Sequence, residues 1–219
     1  TWKKTRPDDS EDIHHGWAFS NPTDDPIVPP CGEGAIPCDG CSPDPVFNAA
    51  YIRDLYDHAG DTNGKYTVPM LWDKNTSTIV NNESSELIRM FNSAFSEFAE
   101  ADAPDIYPAE LQDEINTIND WIYHNINNGV YKCGFARSQP AYDEAVSALY
   151  EHLDRVEDVL SKQTFLCSNE NLTEADIRLF RTLVRFDEVY AVYFKCNVRL
   201  ISSYDNMLNW MRHLYSMPA

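Results

Sequence analysis

Pro69 follows a run of β-formers, Thr67 and Val68, and a proline cannot donate to a sheet ladder. The chain must therefore form an edge, a bulge or a cis peptide bond at this point. What comes next narrows the choice. Asp73 to Ser77 is turn sequence, Thr78-Ile79-Val80 reads as a partner strand, and Asn82-Glu83-Ser84-Ser85 opens a helix predicted over 83–100. That helix places Leu87, Ile88, Phe91, Ala94, Phe95 and Phe98 on its apolar positions.

This order has a chemical consequence. With Pro69 cis, the backbone of Val68 turns outward and can pair with an extended peptide. Ser84 and the N–H groups beside it, at the positive end of the helix dipole, can hold a carboxylate. Glu83 would answer an amine. A peptide with an α-amino-acid head, such as glutathione, meets all three. The same residues also read as no more than a hairpin, a capped helix and a turn proline.

Elsewhere the periodicity is helical. Residues 1–45, including a long loop at 18–45, are rich in prolines and acids and read as irregular. Asp44 to Ala59 carries Val46, Ala49, Ile52, Leu55 and Tyr56 near one stripe and stops at Gly60. A Pro-bounded segment at 103–108 separates a domain of residues 1–102 from one of 103–219. In the second, helices over 108–127 and 141–161 repeat apolar residues at three- and four-residue steps. Leu172-Thr173-Glu174-Ala175-Asp176-Ile177 reads as a hydrophobic staple with a capping box, Asp standing where Glu or Gln is usual. The helix it opens is apolar enough to lie in the middle of a bundle.

Charge and cysteine usage limit the partners. With 17 basic and 35 acidic residues the formal charge is −18, which repels nucleic-acid backbones and anionic membranes. No Lys or Arg occurs between Arg89 and Lys132, so that stretch reads as a solvated acidic face or a surface for a basic partner. No apolar stretch has the length of a membrane span, and Thr1-Trp2-Lys3-Lys4 does not begin a secretory signal, so a soluble chain is expected. Cys31, Cys38 and Cys41 lie in a Pro/Gly-rich loop. The Cys38-Asp39-Gly40-Cys41 pair reads as reduced loop thiols, a disulfide, or half of a zinc site completed by Cys31 and His14 or His15, with no metal the preferred reading. Cys133, Cys167 and Cys196 show no ligand spacing.

The strings TVPMLWDK, IVNNESSELIRMFN, NNGVYKCGFA, LTEADIRLF and RFDEVYAVYFKCN, in this order, resemble the glutathionyl-hydroquinone reductases, the Xi-class, omega-like glutathione transferases, in a plant- or algal-like form. The resemblance runs from Trp2 to Pro218. It implies an α/β plus all-α fold, a partial thioredoxin-like domain followed by an all-helical transferase bundle. It also implies glutathione as co-substrate, held by Trp17, Lys65, Tyr66, Thr67, Val68, Glu83 and Ser84. Tyr131 would exchange a proton with a quinone-type substrate, and Tyr190 would line the same site; a phenol suits this because it both donates and accepts. Taken without the resemblance, Tyr131 closes a helix end and Tyr190 is core. A homodimer and a cytoplasmic location, with the plastid as alternative, are the family expectations.

The departures leave catalysis by this chain open at the level of sequence. The family's nucleophile sits in a Cys-Pro-Trp-Ala run that does not occur here, and the resemblance does not reach the family's C-terminal extension. Lacking an initiating Met, the chain is expected to be a processed or partial product. It is then part of a longer enzyme, an inactive transferase-like subunit of a larger assembly, or a protein in which Cys38 and Cys41 have taken over the thiol chemistry.

Overall fold

In the computed structural model, which describes residues 2–3, 16–28 and 34–217, the Val68–Pro69 peptide is cis, and the strand begins after the proline rather than before it. Thr67 and Val68 belong to no strand. Their segment is instead held from the side, because the Tyr56 hydroxyl donates to the Thr67 carbonyl at 2.8 Å. The chain divides into two units, residues 1–90 and 91–219.

The first unit is built from short elements. Strands β1 (Trp2–Lys3) and β2 (Gly16–Trp17) pair antiparallel, and isolated bridges join Ala18 to Tyr51 and Ile27 to Ile36. Helix α1 spans Ile52–His58, shorter than the predicted 44–59. The reason is Asp44, whose carboxylate accepts from the backbone N–H of Val46, Phe47 and Ala49 and so closes a tight turn. Asn48 follows with φ 54°, a left-handed conformation no helix continues through. At the other end the expected stop holds. Gly60 has φ 73°, its N–H donates to the Asp57 carbonyl and that of Asp61 to the Tyr56 carbonyl, the paired bonds of a Schellman motif.

Strands β3 (Leu71–Asp73) and β4 (Thr78–Asn81) then form an antiparallel hairpin with a bulge between Leu71 and Trp72. The Asp73 carboxylate organises its turn by accepting from the Thr76 hydroxyl at 2.6 Å and the Asn75 N–H at 2.8 Å. Helix α2 (Ser84–Ser93) ends well before the predicted residue 100 and is followed by a 3₁₀ turn at Ser96–Phe98. Of its apolar stripe Leu87 is buried, while Phe91 and Phe98 are exposed. Helical length in proteins comes mostly from packing of the apolar face, and in the second half of this stripe Phe91 stacks only on Phe95, at 5.2 Å between ring centroids, and stays exposed. The Asn92 side chain turns away to hold the Asp105 carboxylate and the Ile106 N–H.

The second unit is all-helical, with no strand among its described residues. Helix α3 (Gln112–Ile122) runs into a π-helical turn at Tyr123–Asn127, then α4 (Gly129–Gly134), α5 (Gln139–Leu160) and α6 (Glu174–Leu183). A second π turn, Phe186–Tyr190, leads into α7 (Ala191–Tyr193), and α8 (Asp205–Ser216) closes the bundle. The spacing-predicted apolar residues Ile115, Ile118, Trp121, Ile122, Ile126, Leu149, Leu153 and Val156 are all in one core cluster with Leu179, Leu183 and Met207. Among the described residues no helix is long and apolar enough to cross a membrane.

The capping box at Thr173 forms, and it does more than cap. Asp176, fully buried, accepts from the Thr173 N–H and hydroxyl, from the Leu166 N–H at 2.8 Å and from the Trp210 indole N–H at 3.1 Å. Burial lifts its carboxyl above the ordinary range, and these four donors act against that rise. One side chain thus joins the start of α6, the loop before it and α8. Thr173→Ala should lower unfolding stability by about 1 kcal/mol. Asp176→Ala, which strands buried donors from three segments, should cost about 3 kcal/mol. Urea midpoints will check the ranking; equal midpoints would reduce Asp176 to a local cap.

Candidate functional site

Two groups of predicted residues are placed in two different units. In the first unit, Trp17 and Val68, each 39% exposed, line one cavity of about 300 Å³ with Ala18, Ser20, Cys41 and Ile52. Ser20 is buried, and its hydroxyl has no hydrogen-bond partner among the described residues. A buried hydroxyl without a partner is uncommon and marks a place where a polar ligand atom or water is accommodated. Neither the N–H nor the carbonyl of Val68 is engaged by any described residue, so its backbone is open to an extended peptide.

The remaining first-unit candidates separate by role. Thr67 is committed internally, since its carbonyl takes the Tyr56 hydroxyl and its side-chain oxygen takes the Asn82 amide at 3.1 Å. The same amide donates to the Tyr56 oxygen at 2.9 Å. Tyr56 and Asn82, which sequence reasoning did not single out, therefore tie the cis-proline segment to the residue just ahead of Glu83. Tyr66 packs its ring on Tyr56, with the Arg53 guanidinium 5.2 Å above it, and so supports the loop. Lys65 is exposed, its carbonyl accepting from the Thr67 N–H. Glu83 and Ser84 are exposed at the start of α2, where neither the carboxylate nor the hydroxyl has a partner among the described residues. Free backbone N–H groups and two uncommitted polar side chains meet there.

The C-x-x-C loop offers less. Cys38 is buried with its thiol 3.5 Å from the Asp25 carbonyl, and Cys41 is half-buried, its N–H donating to the Cys38 carbonyl. Cys31, His14 and His15 lie outside the described residues. Among the described residues no three metal-ligating side chains converge.

In the second unit, Tyr131 on α4 and Tyr190 at the end of the second π turn place their hydroxyl oxygens 3.3 Å apart. Their rings meet edge to face, with centroids 5.8 Å apart. Tyr131 is 39% exposed and Tyr190 only 3%. Burial pushes the Tyr190 phenol up to about 12, helped by its bond to Tyr131 and opposed by Arg185 and Arg181. Phe194 stands 5.4 Å from the Tyr131 ring and 5.5 Å from that of Tyr190, and Phe135 flanks Tyr131. Gly134 makes room for this wall, because a Cβ there would come within 2.4 Å of the Phe194 ring. Phe135, Phe194 and Gly134 were missed in the sequence. The pattern offers them no signal, since each reads as ordinary helix sequence until the π turns bring it to the tyrosines.

The chain is similar to known proteins in sequence and in fold. The family of the glutathione S-transferase C-terminal domain matches residues 139–213. The glutathionyl-hydroquinone reductase YqjG of Escherichia coli is 51% identical over 181 residues, 82% of this chain and 55% of the relative. PcpF of Sphingobium chlorophenolicum, a glutathionyl-hydroquinone reductase, is 48% identical over 173 residues, 78% of this chain and 55% of its own length. This chain thus spans about half the length of the curated relatives it matches. Among solved structures, glutathione-bound YqjG superposes with a TM-score of 0.81 at 46% identity, covering 93% of this chain and 61% of that one. Glutathione transferase Xi 1 of Trametes versicolor gives 0.77 at 54% identity, over 81% and 62%. The α/β unit is accordingly a partial thioredoxin-like domain, the helical unit is a transferase bundle, and the chain is similar to the Xi class of the glutathione transferases.

Proposed function

We propose that this chain supplies the glutathione-holding residues and the proton-handling tyrosines of a glutathionyl-hydroquinone reductase. The observation that carries the reading is the phenol pair, one hydroxyl half-exposed and the other buried, at 3.3 Å. The reaction is thiol exchange. A thiolate attacks the sulfur of a glutathionyl-hydroquinone, the sulfur–carbon bond breaks, and the aromatic fragment leaves as hydroquinone after taking a proton. A second glutathione then frees the first as glutathione disulfide. The attacking thiolate is assigned to no residue of this chain, in whose sequence no Cys-Pro-Trp-Ala run occurs.

The tyrosines suit the proton step. Tyr131 reaches solvent and can donate to the leaving fragment. Tyr190, raised to about 12, stays protonated across the working range and holds the Tyr131 oxygen in place. Glutathione binding falls to the first unit: the Val68 backbone pairs with the peptide, Ser84 and the α2 N–H groups take a carboxylate, and Glu83 takes the amine. Trp17 supplies an aromatic wall. That the related YqjG has been solved with glutathione bound supports this assignment.

Three outcomes check the reading. In the full-length enzyme, Tyr131→Phe should cut turnover of a glutathionyl-hydroquinone by about a hundredfold, and unchanged turnover would remove its proton role. The phenolate absorbance lost in Tyr190→Phe should titrate near 12. Because that value lies above the unfolded phenol's, about 10, the stabilisation from Tyr190 is complete below the unfolded value and disappears as pH rises through the folded one. Titration at the unperturbed value would show that water reaches the phenol. Ser84→Ala should weaken glutathione binding about tenfold by calorimetry, whereas undiminished binding would take the carboxylate away from α2.

A further inference from the structure

Two thiols that the proposed reaction leaves unused, Cys133 and Cys196, are brought together by the bundle. Cys133 lies on α4 and Cys196 just beyond α7. The Cys196 sulfur is 4.0 Å from the Val130 carbonyl, one helical turn before Cys133 on the same face, and both thiols belong to the same buried core cluster. Neither is in a disulfide. The Cys196 backbone is fixed in this position. Its N–H donates to the Tyr190 carbonyl, the Tyr150 hydroxyl donates to its carbonyl at 2.8 Å, and the Tyr142 hydroxyl donates to the preceding Lys195 carbonyl at 2.6 Å.

The pair is asymmetric in access. Cys196 is completely buried, and Cys133, itself only 4% exposed, reaches the wall of a cavity of about 440 Å³ together with Arg137, Ser138, Tyr142, Phe194 and Lys195. The neighbouring Cys196 thiol eases ionisation of the Cys133 thiol against the effect of burial, and the neighbouring Cys133 together with burial makes Cys196 harder to ionise. An entry thiol that ionises first and a buried partner that follows are the two parts of a dithiol exchange site. Arg137 and Lys195 put positive charge at the cavity, which suits a reagent carrying carboxylates.

We propose that Cys133 and Cys196 form a dithiol–disulfide couple, a second thiol site of this chain, oxidised by a low-molecular-weight disulfide of the glutathione type that enters the cavity beside Arg137 and Lys195. The Cys133 thiolate attacks one sulfur of glutathione disulfide, a mixed disulfide forms, and one glutathione thiolate leaves. Cys196 then attacks the Cys133 sulfur, its proton passing to the second departing glutathione. Two protein thiols and one glutathione disulfide become one protein disulfide and two glutathione thiols. This site does not depend on the tyrosine assignment, because glutathione disulfide acts here as the oxidant and not as a ligand of the first unit.

The test equilibrates the protein with glutathione buffers of rising disulfide fraction, quenches with an alkylating agent and maps the peptides by mass. The expected result is a peptide pair linked through Cys133 and Cys196, two hydrogens lighter than its reduced form. Cys196→Ser should stop at one glutathionyl group on Cys133, and Cys133→Ser should leave Cys196 unmodified. The proposal is overturned if wild-type protein, folded by circular dichroism, shows no such linkage at any ratio. An adduct on Cys196 in Cys133→Ser would equally overturn it, since the entry thiol would then be the wrong one.

Discussion

The Asp176 carboxylate holds more of the second unit than any other single group. A buried carboxylate is costly unless its oxygens are satisfied, and here the donors come from its own helix start, the loop at Leu166 and the indole of α8. Helix α6 is thereby fixed at its first turn and can serve as a reference for its neighbours. Asn119 of α3 donates to the buried Glu174 beside it, and Thr182, near the far end of α6, donates to Asn127 of the first π turn. The wide turn that leads to Tyr131 is thus anchored to the same helix whose continuation leads to Tyr190.

The rest of the bundle uses the same device of a carboxylate reaching backbone N–H groups from a distance. Helix α8 has no capping side chain at Tyr204, and Glu157 of α5 takes the N–H groups of Asn206 and Met207 instead. Asp187, inside the second π turn, takes those of Ile201 and Ser202. Orphan donors at element starts are in each case answered by a distant acid. In a chain with 35 acidic residues, several acids are therefore internal fastenings as well as surface charge.

How much of this was legible in the sequence depended on the range of the interaction. The capping box at Thr173, the glycine stop at Gly60 and the core spacing of α3 and α5 are local patterns, and each is present as read. The helix ends that differ were decided by contacts no window contains. Asp44 turned its carboxylate onto the chain that follows it and removed two turns from α1, and α2 stopped where Phe91 and Phe98 stay exposed. At the candidate site, Val68, Glu83, Ser84, Tyr131 and Tyr190 were read from local pattern and family strings. Tyr56, Asn82, Phe194 and the Cys133–Cys196 pair arise from residues distant in sequence and could emerge only from the fold.

The π turns have a consequence for how the phenol pair can be altered. Each carries an i to i+5 bond, Asn128 N–H to Tyr123 and Ala191 N–H to Phe186, and so contains one residue more than an α-helical turn would. One residue of helix is about 100° of rotation. The angular phase of Tyr131 about its axis is therefore set by the number of residues between Tyr123 and Asn128, independently of what those residues are. The meeting of the two hydroxyls is written in chain length as well as in side-chain identity, since each turn takes up one residue that an α-helical turn would not.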